Sequence, residues 1–195
     1  IVAVENEIKY SSVGDESDWT DDSNVDSSSK WVEIGYKDGG KILAIVPMES
    51  NTLIIKGNRR VYNLTGSYPD WNITEVSRNI DCLGRLAWHA AGDSVLILGR
   101  NEIQQINSNA LYGDIKANNI ASKITNKLAD INEENPRMIY LPPLNQVWIP
   151  LKQRYVLVFD CNTQSFFMRR FSHENIVDVV CVDKTVYVVR PSSIS

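Results

Sequence analysis

The hydrophobic positions of this chain fall into short runs, each ended by a turn signal, and two of these runs repeat. Thr52-Leu53-Ile54-Ile55-Lys56-Gly57-Asn58 followed by Val61-Tyr62-Asn63-Leu64 lines up, without a gap, with Ser94-Val95-Leu96-Ile97-Leu98-Gly99-Arg100 followed by Ile103-Gln104-Gln105-Ile106. Each copy predicts a strand, a tight turn at Gly57 or Gly99, and a second strand, because a short apolar run bounded by turn residues suits a buried strand.

Two looser copies follow. One is Val147-Trp148-Ile149 with residues 155–159, the other Val186-Tyr187-Val188-Val189. With Leu53, Val95, Val147 and Val186 equivalent, the spacings are 42, 52 and 39 residues. A further apolar run precedes each copy, at 42–48, 86–90, 138–141 and 176–182, and fourth strands are predicted at 71–77 and 166–171. Units of about 40 residues built from short strands are the signature of propeller blades, which cannot bury both faces alone and so stack on their neighbours. The pattern predicts a mainly β fold, a partial β-propeller-like array of antiparallel blades, occupying residues 1–195 as a single domain. A chain that opens in mid-strand with Ile1-Val2-Ala3-Val4 and closes just after another strand reads as a fragment of a longer protein.

Two segments break the rhythm. Residues 1–4 and 7–10 predict a hairpin turned at Glu5-Asn6, but 11–30 is an acidic loop rich in Ser, Asp and Asn, with Trp19 its one large apolar group. Such a composition buries too little surface to order itself. Strand character resumes at 31–36, and Asp38-Gly39-Gly40 is a turn signal. Between the second and third copies, Ala117, Ile120, Ala121, Ile124, Leu128 and Ile131 recur at helical spacing. They predict one amphipathic α-helix over 115–132, inside an inserted segment 109–134, with Asp114 as N-cap and Asn135-Pro136 as terminator. This insertion accounts for the long interval of 52 residues, and the helix would cap the domain or form a subunit contact.

Composition narrows the function classes. The net charge of −4 argues against a dedicated nucleic-acid binder, which carries a basic face. The only basic pairs, Arg59-Arg60 and Arg169-Arg170, read as solvated turn and strand-edge charges. Cys82, Cys161 and Cys181 lie in or beside apolar strands and fit free thiols better than a disulfide framework. No apolar run reaches the roughly 20 residues that span a bilayer.

Tyr10-Ser11-Ser12-Val13-Gly14-Asp15 with Asp18-Trp19, then residues 42–64 ending Val61-Tyr62-Asn63-Leu64-Thr65-Gly66, then Trp71-Asn72-Ile73, Val76-Ser77, Cys82-Leu83-Gly84 and Gly92-Asp93-Ser94-Val95 form an ordered series. In that order the chain resembles the propeller-containing tail proteins of short-tailed bacteriophages, the nozzle (tail tubular B) and head-to-tail stabilisation proteins. The likeness covers residues 5–106 well and 138–189 loosely. It implies a virion structural protein, located in the tail and assembled in the host cytoplasm. Copies would form a homo-oligomeric ring beside neighbouring tail or adapter proteins, with DNA leaving through the channel without specific binding. It implies no catalysis and no cofactor.

The residues themselves offer little chemistry. His89 and His173 are the only histidines, and His89, after Trp88, reads as structural. No nucleophile elbow, phosphate loop or zinc-protease motif occurs. Asp15, Asp18 and Asp22 are the calcium candidates, offering hard oxygen ligands without the EF-hand spacing. Gly66 and Gly84 are read as structural, at strand ends where φ turns positive. Tyr62, Trp88 and Trp148 are read as wedges between blades. Beside the tail protein stand two other readings: a propeller module binding a protein or carbohydrate partner, and a polysaccharide hydrolase using two of the 24 acidic residues.

Overall fold

The structure, a computed structural model, describes residues 1–12, 14–20, 30–48, 51–66, 70–91, 94–108, 115–131, 134–172, 176, 178–183 and 185–189. It is mainly β, with several antiparallel sheets and few helices. The chain divides into two compact units, Ile1–Asn79 and Ile80–Ser195.

The first unit holds two sheets. Strands β1 (Val2–Val4), β2 (Glu7–Tyr10) and β3 (Lys30–Glu33) form a three-stranded antiparallel sheet, and β4 (Ile42–Pro47), β5 (Thr52–Lys56), β6 (Val61–Thr65) and β7 (Asn72–Ser77) form a four-stranded one. Within each of these sheets, every strand pairs with its neighbour in sequence. Ile8 and Ile34, with the partly buried Val32, pack on Ile42, Ile54, Tyr62 and Leu64 of the second sheet. Leu53, Ile54 and Ile55 are all fully buried, so β5 has no solvent face. That is why its apolar run is continuous rather than alternating. Each such side chain contributes roughly 1.5–3 kcal/mol of burial.

The second unit continues the arrangement. Strands β8 (Trp88–Ala91), β9 (Ser94–Leu98), β10 (Ile103–Ser108) and β11 (Ile115–Asn119) form one four-stranded sheet. Strands β12 (Ile139–Leu141), β13 (Gln146–Pro150), β14 (Tyr155–Asp160) and β15 (Ser165–Arg170) form another, and β16 (Asp178–Val182) and β17 (Thr185–Val189) a two-stranded one. Leu141, Trp148, Val156 and Val158 pack on Ile176 and Val179, joined by Cys181, Val186 and Val188. Leu53, Val95, Val147 and Val186 are each the second residue of their strand. The gapless sequence match nevertheless conceals a change of register. Leu53 pairs with Asn63, whereas Val95 pairs with Ile106, the counterpart of Leu64. The turn in the first copy takes up the difference, with Arg59 at φ 69°.

The expected amphipathic helix over 115–132 is corrected. Residues 115–119 are β11, paired with β10 from Gln104↔Asn119 to Ser108↔Ile115, and only Thr125–Leu128 is helical (α1). Pairing with β10 satisfies the backbone groups that a helix would have satisfied internally. The Asn119 side chain then accepts from the Ala121 N–H at 3.0 Å, an Asx turn that competes with helix continuation. Ala121, Leu128 and Ile131 are buried as the stripe predicts, but Ala117 is exposed. The proposed cap Asp114 lies outside the described residues.

Of the two structural glycines, Gly66 has φ +90° and Gly84 does not adopt positive φ. The expectation for Gly84 is therefore corrected: a Cβ there would lie 3.3 Å from Pro136 Cγ, so what the site demands is tight packing. At Gly66 a Cβ would lie 2.6 Å from the Asp70 carbonyl. Gly66→Ala combines this clash with a left-handed φ and is expected to cost about 1–3 kcal/mol, with Gly84→Ala costing less. Urea denaturation of the two variants checks the order, and equal losses would contradict it.

Candidate functional site

The connection between β3 and β4 carries three residues with positive φ, Gly35, Lys37 and Gly39. Its Asp38 N–H bonds the Gly35 carbonyl at 3.0 Å. This tight course turns the Asp38 side chain inward, where only 4% of it is exposed. Lys56 ends β5 on the same face as Ile54 and is fully buried. Its ammonium meets Asp38 Oδ1 at 2.6 Å and donates to the Ile34 carbonyl at 2.5 Å. The Tyr62 hydroxyl donates to Asp38 Oδ2 at 2.9 Å, and the Gly40 N–H donates to Oδ1 at 3.1 Å. Asn58 Nδ2 donates to the Asp38 carbonyl at 2.9 Å. A Cβ at Gly35 would lie 2.2 Å from Asp38 Oδ2, so the loop closes only around glycine. Further out, Glu75 pairs with Arg60 at 2.7 Å and with Arg78.

Burial alone would raise the Asp38 carboxyl; the bonds from Lys56, the Gly40 N–H, Tyr62 and Asn58 outweigh it and hold the group at about 2. Burial, with the Asp38 charge beside it, raises the Tyr62 phenol. Because the folded Asp38 value is depressed, its stabilisation is complete above the unfolded value near 3.8 and is lost as pH falls through about 2. Urea midpoints from pH 5 down to pH 2 are expected to fall by an amount equivalent to on the order of 2 kcal/mol through this group. Asp38→Asn should remove that share of the pH slope. An unchanged slope would deny Asp38 the role.

With both carboxylate oxygens engaged and almost no exposure, this cluster acts as a clamp. It fastens the β3–β4 connection to β5 and β6. Sequence reading took Asp38-Gly39-Gly40 only as a turn and Tyr62 only as a core wedge. The available signal was Lys56, a charge at the face-matching position of an otherwise apolar strand, which demands a partner.

The calcium candidates Asp15 and Asp18 accept hydrogen bonds from residues of their own loop. Asp15 Oδ1 accepts from the Ser17 N–H at 2.9 Å and its hydroxyl at 2.7 Å. Asp18 accepts from the Thr20 N–H at 3.0 Å and the Ser12 hydroxyl at 2.8 Å. These bonds lower both carboxyls and close an Asx-type turn. Asp22 lies outside the described residues. Among the described residues no group of three or more metal-ligating side chains comes together.

In the second unit, Trp148 is buried and its Nε1 donates to Gln146 Oε1 at 3.2 Å. Gln146 Nε2 in turn donates to Asp160 Oδ2 at 3.0 Å, while Asp160 Oδ1 accepts from the N–H groups of Asn162 and Thr163 in the β14–β15 turn. The Arg169 guanidinium sits 4.9 Å from the Trp148 ring. Trp88 is half-buried, with its Nε1 on the Arg85 carbonyl at 3.0 Å. His89 stacks on Tyr140 with ring centroids 5.3 Å apart, and burial lowers its pKa. His173 lies outside the described residues. Cys82, Cys161 and Cys181 are free, the first buried and the others half-buried. Burial pushes the Cys82 thiol up to about 11.

No family model and no curated protein matches the chain. Among solved structures it is similar to the crystal structure of the hemopexin fold protein CP4 from cow pea, at 12% identity over 66% of this chain and 67% of that one, with a TM-score of 0.39. A likeness this distant assigns neither fold nor function. No helix among the described residues is long and apolar enough to cross a membrane.

Proposed function

We propose that the chain is a virion structural protein of a phage tail, one subunit of a homo-oligomeric ring forming the DNA-ejection conduit, and that its sheets are blades of a propeller-like array. The observation that carries this reading is the succession of sequential antiparallel meanders whose second strands, β5, β9 and β13, are buried along nearly their whole length. This is the behaviour of blades stacked in series. The ordered series of motifs from Tyr10 to Val95 supports the tail assignment. Among the described residues the buried polar groups, Lys56 with Asp38, Asn63 with Asn51 and Gln146 with Trp148, are spent on holding strands and turns together, which suits a wall better than a catalyst. Neighbouring tail or adapter proteins would be the partners, and DNA would pass without specific binding.

Negative-stain electron microscopy of the full-length protein, with its mass by light scattering, tests the reading. Rings with a central channel are expected. A compact monomer would overturn it in favour of a binding module.

A further inference from the structure

The edge strands β8 and β12 of the two four-stranded sheets in the second unit lie side by side. Among the described residues one backbone hydrogen bond joins them, from the Met138 N–H to the Leu86 carbonyl at 2.9 Å, where paired strands would share a ladder. Side chains therefore make the rest of the joint. Before that bond Gly84 packs against Pro136. Beyond it the His89 ring stacks on Tyr140, with centroids 5.3 Å apart and planes tilted by 31°. Both rings are half-buried. Tyr140 is fixed from behind: its hydroxyl donates to Asn145 Oδ1 at 2.8 Å, and Asn145 Nδ2 donates to Asn162 Oδ1 at 2.7 Å. His89 lies opposite the fully buried Leu96 of β9.

We propose that His89 makes this joint acid-sensitive: its uncharged ring holds β8 to β12 at neutral pH, and protonation loosens the two strands. The reason lies in what faces the ring. Strand β9, and β13, which backs Tyr140 through Val147, carry no titratable side chain, and β12 carries only Tyr140. On the chain entering β8, Arg85 is exposed. Cys82, pushed up to about 11 by burial, keeps its proton and donates to the Gly84 carbonyl. On the chain entering β12, Glu134 is exposed and Arg137 is held by Asp178 of β16. No charge among these acts on the ring, whose proton affinity is lowered by burial. The face of Tyr140 attracts a cation. A half-buried imidazolium there would nevertheless give up part of its hydration without a counter-charge, and that loss prevails. Because the folded value lies below the ordinary 6.5, the stabilisation is complete above pH 6.5 and is lost as pH falls through the folded value. The Asp38 effect belongs to the acidic range near 2, so the two windows are separate. The inference concerns the second unit alone and does not rest on the tail reading.

Proton NMR and amide exchange of the whole chain between about pH 7.5 and 5.5 test it, the range in which histidine changes charge. The chain has two histidines, so His89→Phe, His89→Gln and His173→Gln assign the signals. The imidazole signal that the His89 variants abolish is expected to titrate below 6.5. Once the intrinsic pH dependence of exchange is divided out, the Met138 amide should lose protection at the acidic end in wild type and in His173→Gln. The Leu157 amide, in the middle of its sheet, should keep its own. His89→Phe keeps a stacking ring without a titrating nitrogen and should hold Met138 protection constant across the range. Circular dichroism establishes that each variant folds. Where phenylalanine does not fit, His89→Gln makes the same comparison, with lower but pH-independent protection. A His89 midpoint at or above 6.5 would show that the attraction of Tyr140 outweighs burial, and would overturn the proposal. Constant Met138 protection in wild type, or an acid loss that survives in the His89 variants, would overturn it as well.

Discussion

Asp38→Ala is expected to destabilise the first unit by about 3–5 kcal/mol, because it leaves the Lys56 ammonium fully buried with no counter-charge. The remaining donor contact to the Ile34 carbonyl cannot neutralise it. The Tyr62 hydroxyl loses its short acceptor as well, with Glu75 Oε2 3.4 Å away as the residual choice. The double variant Asp38→Ala/Lys56→Met removes the charge that the single variant strands, and should recover most of the loss, since apolar replacement of a buried pair is often neutral. Urea denaturation of wild type and both variants reads the difference directly. A loss for Asp38→Ala below about 1 kcal/mol would mean the pair behaves like a solvent-screened surface bridge. Failure of the double variant to recover would place the value of the cluster in the shape of the β3–β4 connection instead.

Trp148→Ala should cost the second unit a comparable amount, about 3–5 kcal/mol, by opening a cavity where β13 and β14 meet Ile176 and Val179. Trp148→Phe separates the ring from its N–H. It keeps much of the packing but deprives Gln146 Oε1 of its donor, at an expected cost of about 1–3 kcal/mol. Arg169 covers the ring from the exposed side, so Arg169→Ala should cost no more than about 1 kcal/mol. Thermal melts of the three variants give the ordering Trp148→Ala, Trp148→Phe, Arg169→Ala. Any other order would show that the ring is not anchored as its contacts imply.

The strands were legible because their apolar runs and turn residues agree with one another. The predicted hairpin at Glu5-Asn6 and the fourth strands near 71–77 and 166–171 appear within a residue or two of their expected bounds. The helix was misread because the stripe from Ala117 to Ile131 records which side chains are buried, not which backbone partner satisfies the N–H and C=O groups. Once Ser108↔Ile115 and Gln104↔Asn119 define a ladder, the sheet wins over a modest helical propensity. The one-residue difference in register between the first two copies was equally hidden, since equal spacing in sequence does not report which residue a turn absorbs. The clamp was half visible: Lys56 announced a buried charge, but Asp38 reaches it through a backbone reversal that spacing does not encode. For the candidate metal ligands Asp15 and Asp18, composition showed the carboxylates but not the hydrogen bonds that Ser12, Ser17 and Thr20 give them.

The strictly sequential pairing of the strands bears on how the protein is made. Contacts between residues near in sequence close small loops and form early. In the first unit every strand pair and the Lys56–Asp38–Tyr62 cluster, whose side-chain bonds join positions 18 and 24 residues apart, involve no residue beyond Ser77. Protease resistance of ribosome-stalled chains should therefore appear soon after this segment clears the exit tunnel, and resistance that awaits the full chain would contradict this order. A unit built this way can mature during synthesis as soon as its own strands have emerged, without waiting for those that follow.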